Sequence, residues 1–197
     1  MPIKPTSVII LSAGFSSRMG QAKFSLKLPN GKSFLEQIAQ QYFDFGCEEI
    51  IVVINPEGEK YLEESSLKSQ GRLRFVVNQN PEAGRFGSVQ CGVKALKTKT
   101  PIFIHNVDNP FARIPTLEKL LANLEGYDVA KPVFEDRGGH PILISKKVID
   151  AMLNETNPST ILRSFLKPFK HKEVEVEDSS ILININTMEN YRRFYDI

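Results

Sequence analysis

Short apolar runs alternate with amphipathic stretches along the whole chain. Ser7–Leu11 is apolar and β-branched, long enough for a buried strand and too short for a core helix. The pattern returns at Glu49–Ile54, Leu73–Val77, Ile102–Asn106, Val129–Val133, Ile142–Ile144, Lys172–Val176 and Ile181–Ile185, all read as strands. Helices fill the intervals. Phe34–Phe45 follows a Ser33 cap, carries Glu36 at the capping-box position and stops at Gly46. Gly58–Leu67, Gly87–Leu96, Thr116–Leu124, Lys146–Leu153, Thr160–Leu166 and Thr187–Tyr195 complete the helical set.

This alternation predicts an α/β fold. Residues 1–197 form one Rossmann-like three-layer domain with a mixed, mostly parallel central sheet covered on both faces. Ligands in such sheets bind beyond the carboxyl ends of the strands. The segments after Leu11 and Ile104 therefore share one rim.

Composition narrows the partners. The net charge of +2 is too weak to favour nucleic acid or an anionic membrane. The one dense basic cluster, Lys167–Lys172, reads as a solvated segment. Cys47 and Cys91 form no CxxC and are expected to be reduced thiols. Met1–Pro5 lacks the features of a signal peptide, and no run is long enough to span a bilayer. The expectation is a cytoplasmic protein, a monomer or small homo-oligomer.

Chemistry enters where the first strand ends, in Ser12-Ala-Gly-Phe-Ser-Ser-Arg-Met-Gly20 with Lys23 beyond. Glycines there let the backbone turn tightly and aim N–H groups outward, and Arg18 and Lys23 add charge, so the loop is an anion cradle. It has neither the Gly-Lys-Ser/Thr of a Walker loop nor the Gly-x-Gly-x-x-Gly of a dinucleotide fold. A triphosphate suits it. Asp108, in Asn106-Val-Asp-Asn-Pro110 at a strand end, is placed to hold Mg²⁺ beside that cradle, although the same residues favour turns. Asn184 and Asn186 could complete a hard-cation shell, or Asn186 or Thr187 could cap the last helix. Gly139 and His140, in Arg137-Gly-Gly-His-Pro141, form a turn that could lie against a ligand, with a structural histidine as the alternative. Ser88 could cap a helix or contact a base or phosphate. His105 reads as structural and His171 as exposed.

The run Leu11–Lys23, LSAGFSSRMGQAK, resembles the LAAGxSxRMGxxK signature of the MobA-like NTP transferases. Further segments follow that family's order: NGKSFLEQ, VVNQNPEAGRFGSVQCGV, VDNP, GGHPILIS and NINTMENY. The resemblance spans essentially the whole chain. It implies a fold of the nucleotide-diphospho-sugar transferase type, with Mg²⁺ as cofactor. It also implies transfer of NMP from an NTP to a phosphorylated small-molecule acceptor, with release of pyrophosphate. Ser12, Ala13, Gly14, Ser17, Arg18, Gly20, Lys23, Asn78 and Ser88 would contact the nucleotide. Arg18 and Lys23 would neutralise developing charge, Asp108 with Asn184 and Asn186 would hold the metal, and Gly139 and His140 would meet the acceptor. Ala13 stands where the guanylyl branch usually carries a second glycine, which favours CTP. Two departures are plain. Asn184 and Asn186 replace the two aspartates of the cytidylyl branch, as they do in the guanylyl branch. Asn157-Pro-Ser-Thr-Ile-Leu-Arg163 replaces a Gly-Asp-x-Gly-x-Arg segment of cytidylyl members. These leave three readings open: a molybdenum cofactor cytidylyltransferase-like enzyme, a transferase for a sugar phosphate or other small phospho-alcohol, and a catalytically idle nucleotide-binding regulator.

Overall fold

The first strand divides the interior. Val8 and Ile10 join one hydrophobic cluster and Ile9 and Leu11 another, and Ile50/Val52 and Ile51/Val53 split the same way. Alternate side chains of a strand leave on opposite faces, so a strand that is apolar throughout must be covered twice. A computed structural model, which describes residues 5–14, 23–64 and 71–193, shows both covers. Its strands are β1 (Ser7–Ser12), β2 (Glu49–Ile54), β3 (Leu73–Val77), β4 (Ile102–Asn106), β5 (Val129–Phe134), β6 (Arg137–Gly138), β7 (Ile142–Ile144) and β8 (His171–Glu175). Its helices are α1 (Phe34–Phe45), α2 (Pro56–Glu64), α3 (Gly84–Ala95), α4 (Ile114–Ala122), α5 (Lys146–Asn154), α6 (Leu162–Leu166) and α7 (Met188–Arg192). Helices α1 and α4 pack in the cluster of Val8 and Ile10, and α3 and α5 in that of Ile9 and Leu11.

The sheet runs β3-β2-β1-β4-β7-β5-β6, with β8 beside β5. Pairs β1–β2, β2–β3, β1–β4 and β5–β8 are parallel, and β7 is antiparallel to both β4 and β5. This is the mixed, mostly parallel sheet that the alternation predicts.

Helix α1 matches its local signals. Ser33 Oγ accepts from Glu36 N, Glu36 answers to the Ser33 backbone, and Gly46 takes the left-handed conformation at φ 91°. Helix α3 starts three residues before its predicted bound, because a 3₁₀ turn at Pro81–Ala83 hands the chain straight into it. That places Ser88 inside the helix. The expected N-cap role is therefore corrected: Ser88 Oγ donates to Gly84 O at 3.3 Å and receives Asn78 Nδ2 at 3.1 Å. Ile181–Ile185 is a second correction. It is a 3₁₀ turn, Ser179–Leu182, followed by irregular chain. The Asp178 side chain accepts from Ser180 N, and Ser180 Oγ donates to Phe111 O at 2.8 Å. These bonds bend the chain into the turn. Ile181 and Ile185 remain fully buried without joining the sheet. Thr187 caps α7 by accepting from Asn190 N. Among the described residues no helix is long and apolar enough to cross a membrane.

Candidate active site

Parallel pairing sets Leu11 of β1 opposite Asn106 of β4. The loops that follow therefore leave the sheet side by side, and Val107 N donates to Leu11 O at 3.1 Å. The chain winds from β1 to β2 on one side and reaches β4 on the other. Open α/β sheets bind ligands where the winding reverses in this way.

A cleft of about 250 Å³ lies at this point. Its walls are Ser12, Ala13 and Gly14 at the end of β1, Asn106 to Asp108 at the end of β4, Lys23, and Gly84, Arg85 and Ser88 of α3. Ser12 Oγ is buried there and has no hydrogen-bond partner among the described residues. Asn78 is not on the wall; it is buried and holds Ser88 by its side chain. Ser17, Arg18 and Gly20 lie outside the described residues.

Lys23 joins the two halves of the cleft. Its Nζ donates to Asn186 Oδ1 at 2.8 Å and lies 3.9 Å from Asp108 Oδ2. Ile185 N donates to Asp108 O at 2.8 Å and ties the closing segment to the β4 loop. Asp108 and Asn186 thus converge on one cation. Asn184 does not share this arrangement: it is exposed, and its amide donates to Leu182 O. Asp108 Oδ1 is buried without a partner among the described residues. Burial pushes the Asp108 carboxyl above its ordinary range, and the Lys23 and Arg85 charges oppose that shift.

This donor set fits Mg²⁺. Two oxygens already attract an ammonium, and one carboxylate oxygen is unused. Mg²⁺ is commonly held by one or two carboxylates, with waters and substrate phosphates filling the rest. Among the described residues no group of three or more His, Cys, Asp or Glu side chains gathers. A metal here would rely on substrate oxygens as well as Asp108 and Asn186.

A larger cavity, about 1030 Å³, adjoins the cleft. Gly84 and Arg85 line both. Phe86, Ile104, Val129, Ile142, Leu162 and Leu166 give the larger cavity apolar walls, while Arg85, Lys131 and Arg163 add cations. Gly139 and His140 lie on its wall, as does the departing segment from Pro158 to Arg163. Burial, reinforced by the Arg85 charge, lowers His140 to about 4, so the imidazole is neutral near pH 7. Its Nδ1 is buried without a partner among the described residues. His171 is exposed, and its Nε2 lies 2.9 Å from Leu166 O.

His105 is structural, as expected. Its Nε2 lies 2.6 Å from Asn109 O and its Nδ1 2.8 Å from Tyr42 OH. A carbonyl only accepts, so Nε2 carries the proton and Nδ1 accepts from the tyrosine. That arrangement fixes the turn that presents Asp108. Burial lowers His105 from 6.5 to about 4. An unfolded chain binds the proton near pH 6.5 while the folded one resists it, so stability is full above that pH and falls as pH drops towards 4. Between pH 6.5 and 5, urea unfolding should show a loss of about 1.5 kcal/mol from His105, with His140 adding in the same direction. A flat profile over that window would contradict the burial of both rings.

Arg85, Lys131 and Arg163 were not singled out from the sequence. For Arg85 a signal existed, a cation directly after a glycine at the start of a helix. The other two are recognisable only once the strands are paired.

Comparison with known proteins bears on the family and the fold. The model of the family described as "MobA-like NTP transferase domain" matches residues 8–174. The "Molybdenum cofactor cytidylyltransferase" of Escherichia coli (strain K12) is 30% identical over 183 residues, 93% of this chain and 92% of that protein. The "Nicotine blue oxidoreductase" of Paenarthrobacter nicotinovorans is 24% identical over 194 residues, 94% of each chain. The crystal structure of Rv0371c from Mycobacterium tuberculosis H37Rv superposes with a TM-score of 0.80 at 17% identity, covering 98% of this chain and 99% of that one.

Proposed function

We propose that this chain, which belongs to the MobA-like NTP transferase family, transfers NMP from an NTP to a phosphorylated acceptor and releases pyrophosphate. The observation that carries the reading is the cleft at the sheet rim with a larger cavity adjoining it. The smaller, beside Ser12–Gly14 and Lys23, takes the NTP. The larger takes the acceptor. An oxygen of the acceptor phosphate attacks the α-phosphorus and forms a new P–O–P link. The bond from that phosphorus to the bridging oxygen of the β-phosphate breaks, and pyrophosphate leaves with the electron pair. Such transfers depend on positioning and charge neutralisation rather than on a protein nucleophile.

Lys23 lies on the NTP side and neutralises charge as pyrophosphate departs. Arg18 shares this task by its place in the family signature. Asp108 and Asn186 are the residues that would hold Mg²⁺, which when bound supplies further positive charge to the triphosphate. Asn184 stays outside this set. The volume of the larger cavity and its partly apolar walls favour an acceptor with a sizeable ring system, as a molybdenum cofactor-like acceptor would have, over a small sugar phosphate. Ala13 favours CTP.

The name of the Paenarthrobacter relative motivates a second, redox reading. The chain has no Gly-x-Gly-x-x-Gly after β1, which weighs against a nicotinamide cofactor. A thermal-shift panel separates the readings. The preferred NTP with Mg²⁺, at about a hundredfold excess over Kd, should raise Tm by about 5–10 °C. CTP is expected to lead the NTPs, and NAD(P) to leave Tm unchanged. A shift with NAD(P) and none with any NTP would reverse the conclusion.

A further inference from the structure

We propose that Arg85 grips the phosphate of the acceptor at the seam between the two cavities. This role rests on the nucleotidyl-transfer reading above. Arg85 stands in the first turn of α3 and lines both spaces. Its side chain is exposed, and its guanidinium makes no hydrogen bond or ion pair among the described residues. The neighbouring cations are differently committed. Lys23 is held by Asn186 and Asp108, and Lys131 pairs with Glu173 at 2.9 Å. Arg163 lines only the larger cavity. Among the described residues Arg85 is therefore the uncommitted cation that both spaces share.

Three physical features support a phosphate monoester as its ligand. First, the guanidinium fork matches two phosphate oxygens at once, which an ammonium cannot do. Second, α3 has no acidic residue in its first turn, so its peptide dipoles add to the positive field. Among the described residues Glu82 is the one acidic side chain lining the larger cavity, against Arg85, Lys131 and Arg163. Third, the Arg85 charge is felt by Asp108 on the nucleotide side and by His140 on the acceptor side. In the reaction two anions must approach to about 3–3.5 Å between attacking oxygen and phosphorus. A cation at the seam lowers their repulsion. It also selects acceptors that bring a phosphate over those that bring a hydroxyl alone.

The test uses the full chain, the α,β-methylene analogue of the NTP that raises Tm most, and inorganic orthophosphate as the acceptor probe. With the analogue saturating, phosphate is titrated while the ¹³C-labelled His140 ring is followed by NMR. The wild type should show a saturable shift. Arg85→Met should weaken phosphate binding roughly ten- to hundredfold, a larger loss than that in the analogue's affinity, and Arg85→Lys should retain part of the binding. Unchanged phosphate affinity in Arg85→Met, or no phosphate binding to the nucleotide-filled wild type, would overturn the role. Failure of the analogue itself to bind would retire the nucleotidyl-transfer reading, and this role with it.

Discussion

Asp108→Ala should lower turnover about 10²–10³-fold, the usual loss when one preorganised charge contact is removed, without unfolding the chain. The stability half of this expectation follows from the site. Asp108 Oδ1 is buried without a partner among the described residues, and burial raises its carboxyl pKa. An ionised group with a raised pKa disfavours the native state at neutral pH. Removing it therefore leaves Tm unchanged or higher. Activity by pyrophosphate release and Tm by calorimetry, measured on one preparation, check both halves. Full turnover in Asp108→Ala would remove Asp108 from the chemistry. A large fall in Tm would show that the carboxylate serves the fold instead.

Gly139→Ala should have the largest effect on stability. A Cβ there would lie 2.5 Å from Ile181 O and 2.7 Å from both Ile181 Cβ and Cγ1. The carbonyl cannot easily retreat, because it accepts from His140 N and Asn109 Nδ2, each at 3.1 Å. Gly139 N is itself tied to Pro132 O at 2.9 Å. Overpacking of this kind costs about 3 kcal/mol, and hence about 6–12 °C in Tm for a chain of this size. The displaced wall carries His140, so acceptor binding should weaken before NTP binding does. Calorimetry reads the first effect, and titration of the surviving folded fraction with orthophosphate and with NTP reads the second. A Tm within about 2 °C of wild type would show that the Ile181 turn yields freely.

The fold was legible wherever one local signal had no rival. Ser7–Leu11 and Glu49–Ile54 are apolar on both alternations, and both are central strands. Ser33, Glu36 and Gly46 bound α1 as their chemistry predicts. Ile181–Ile185 misled because buried isoleucines mark burial and not sheet pairing. Asp178 and Ser180, just upstream, held the competing turn signal. The site was legible in part, because strand ends such as Asp108 are recognisable in one dimension. The contact of Lys23 with Asn186 spans 163 residues and follows only from the β1–β4 pairing. Arg85 gains its interest from a cavity that α3 lines together with β5 and β7, which no local spacing encodes.

The central claim is that NMP moves to an acceptor and pyrophosphate departs. The direct measurement supplies the protein with Mg²⁺, a fraction of phosphorylated small metabolites, and NTP labelled with ³²P at either the α or the γ position. The account predicts α label in a new acceptor product and γ label in pyrophosphate, both lost in Asp108→Ala. Transfer of the γ label to the acceptor, or its release as orthophosphate with no α-labelled product, would contradict it.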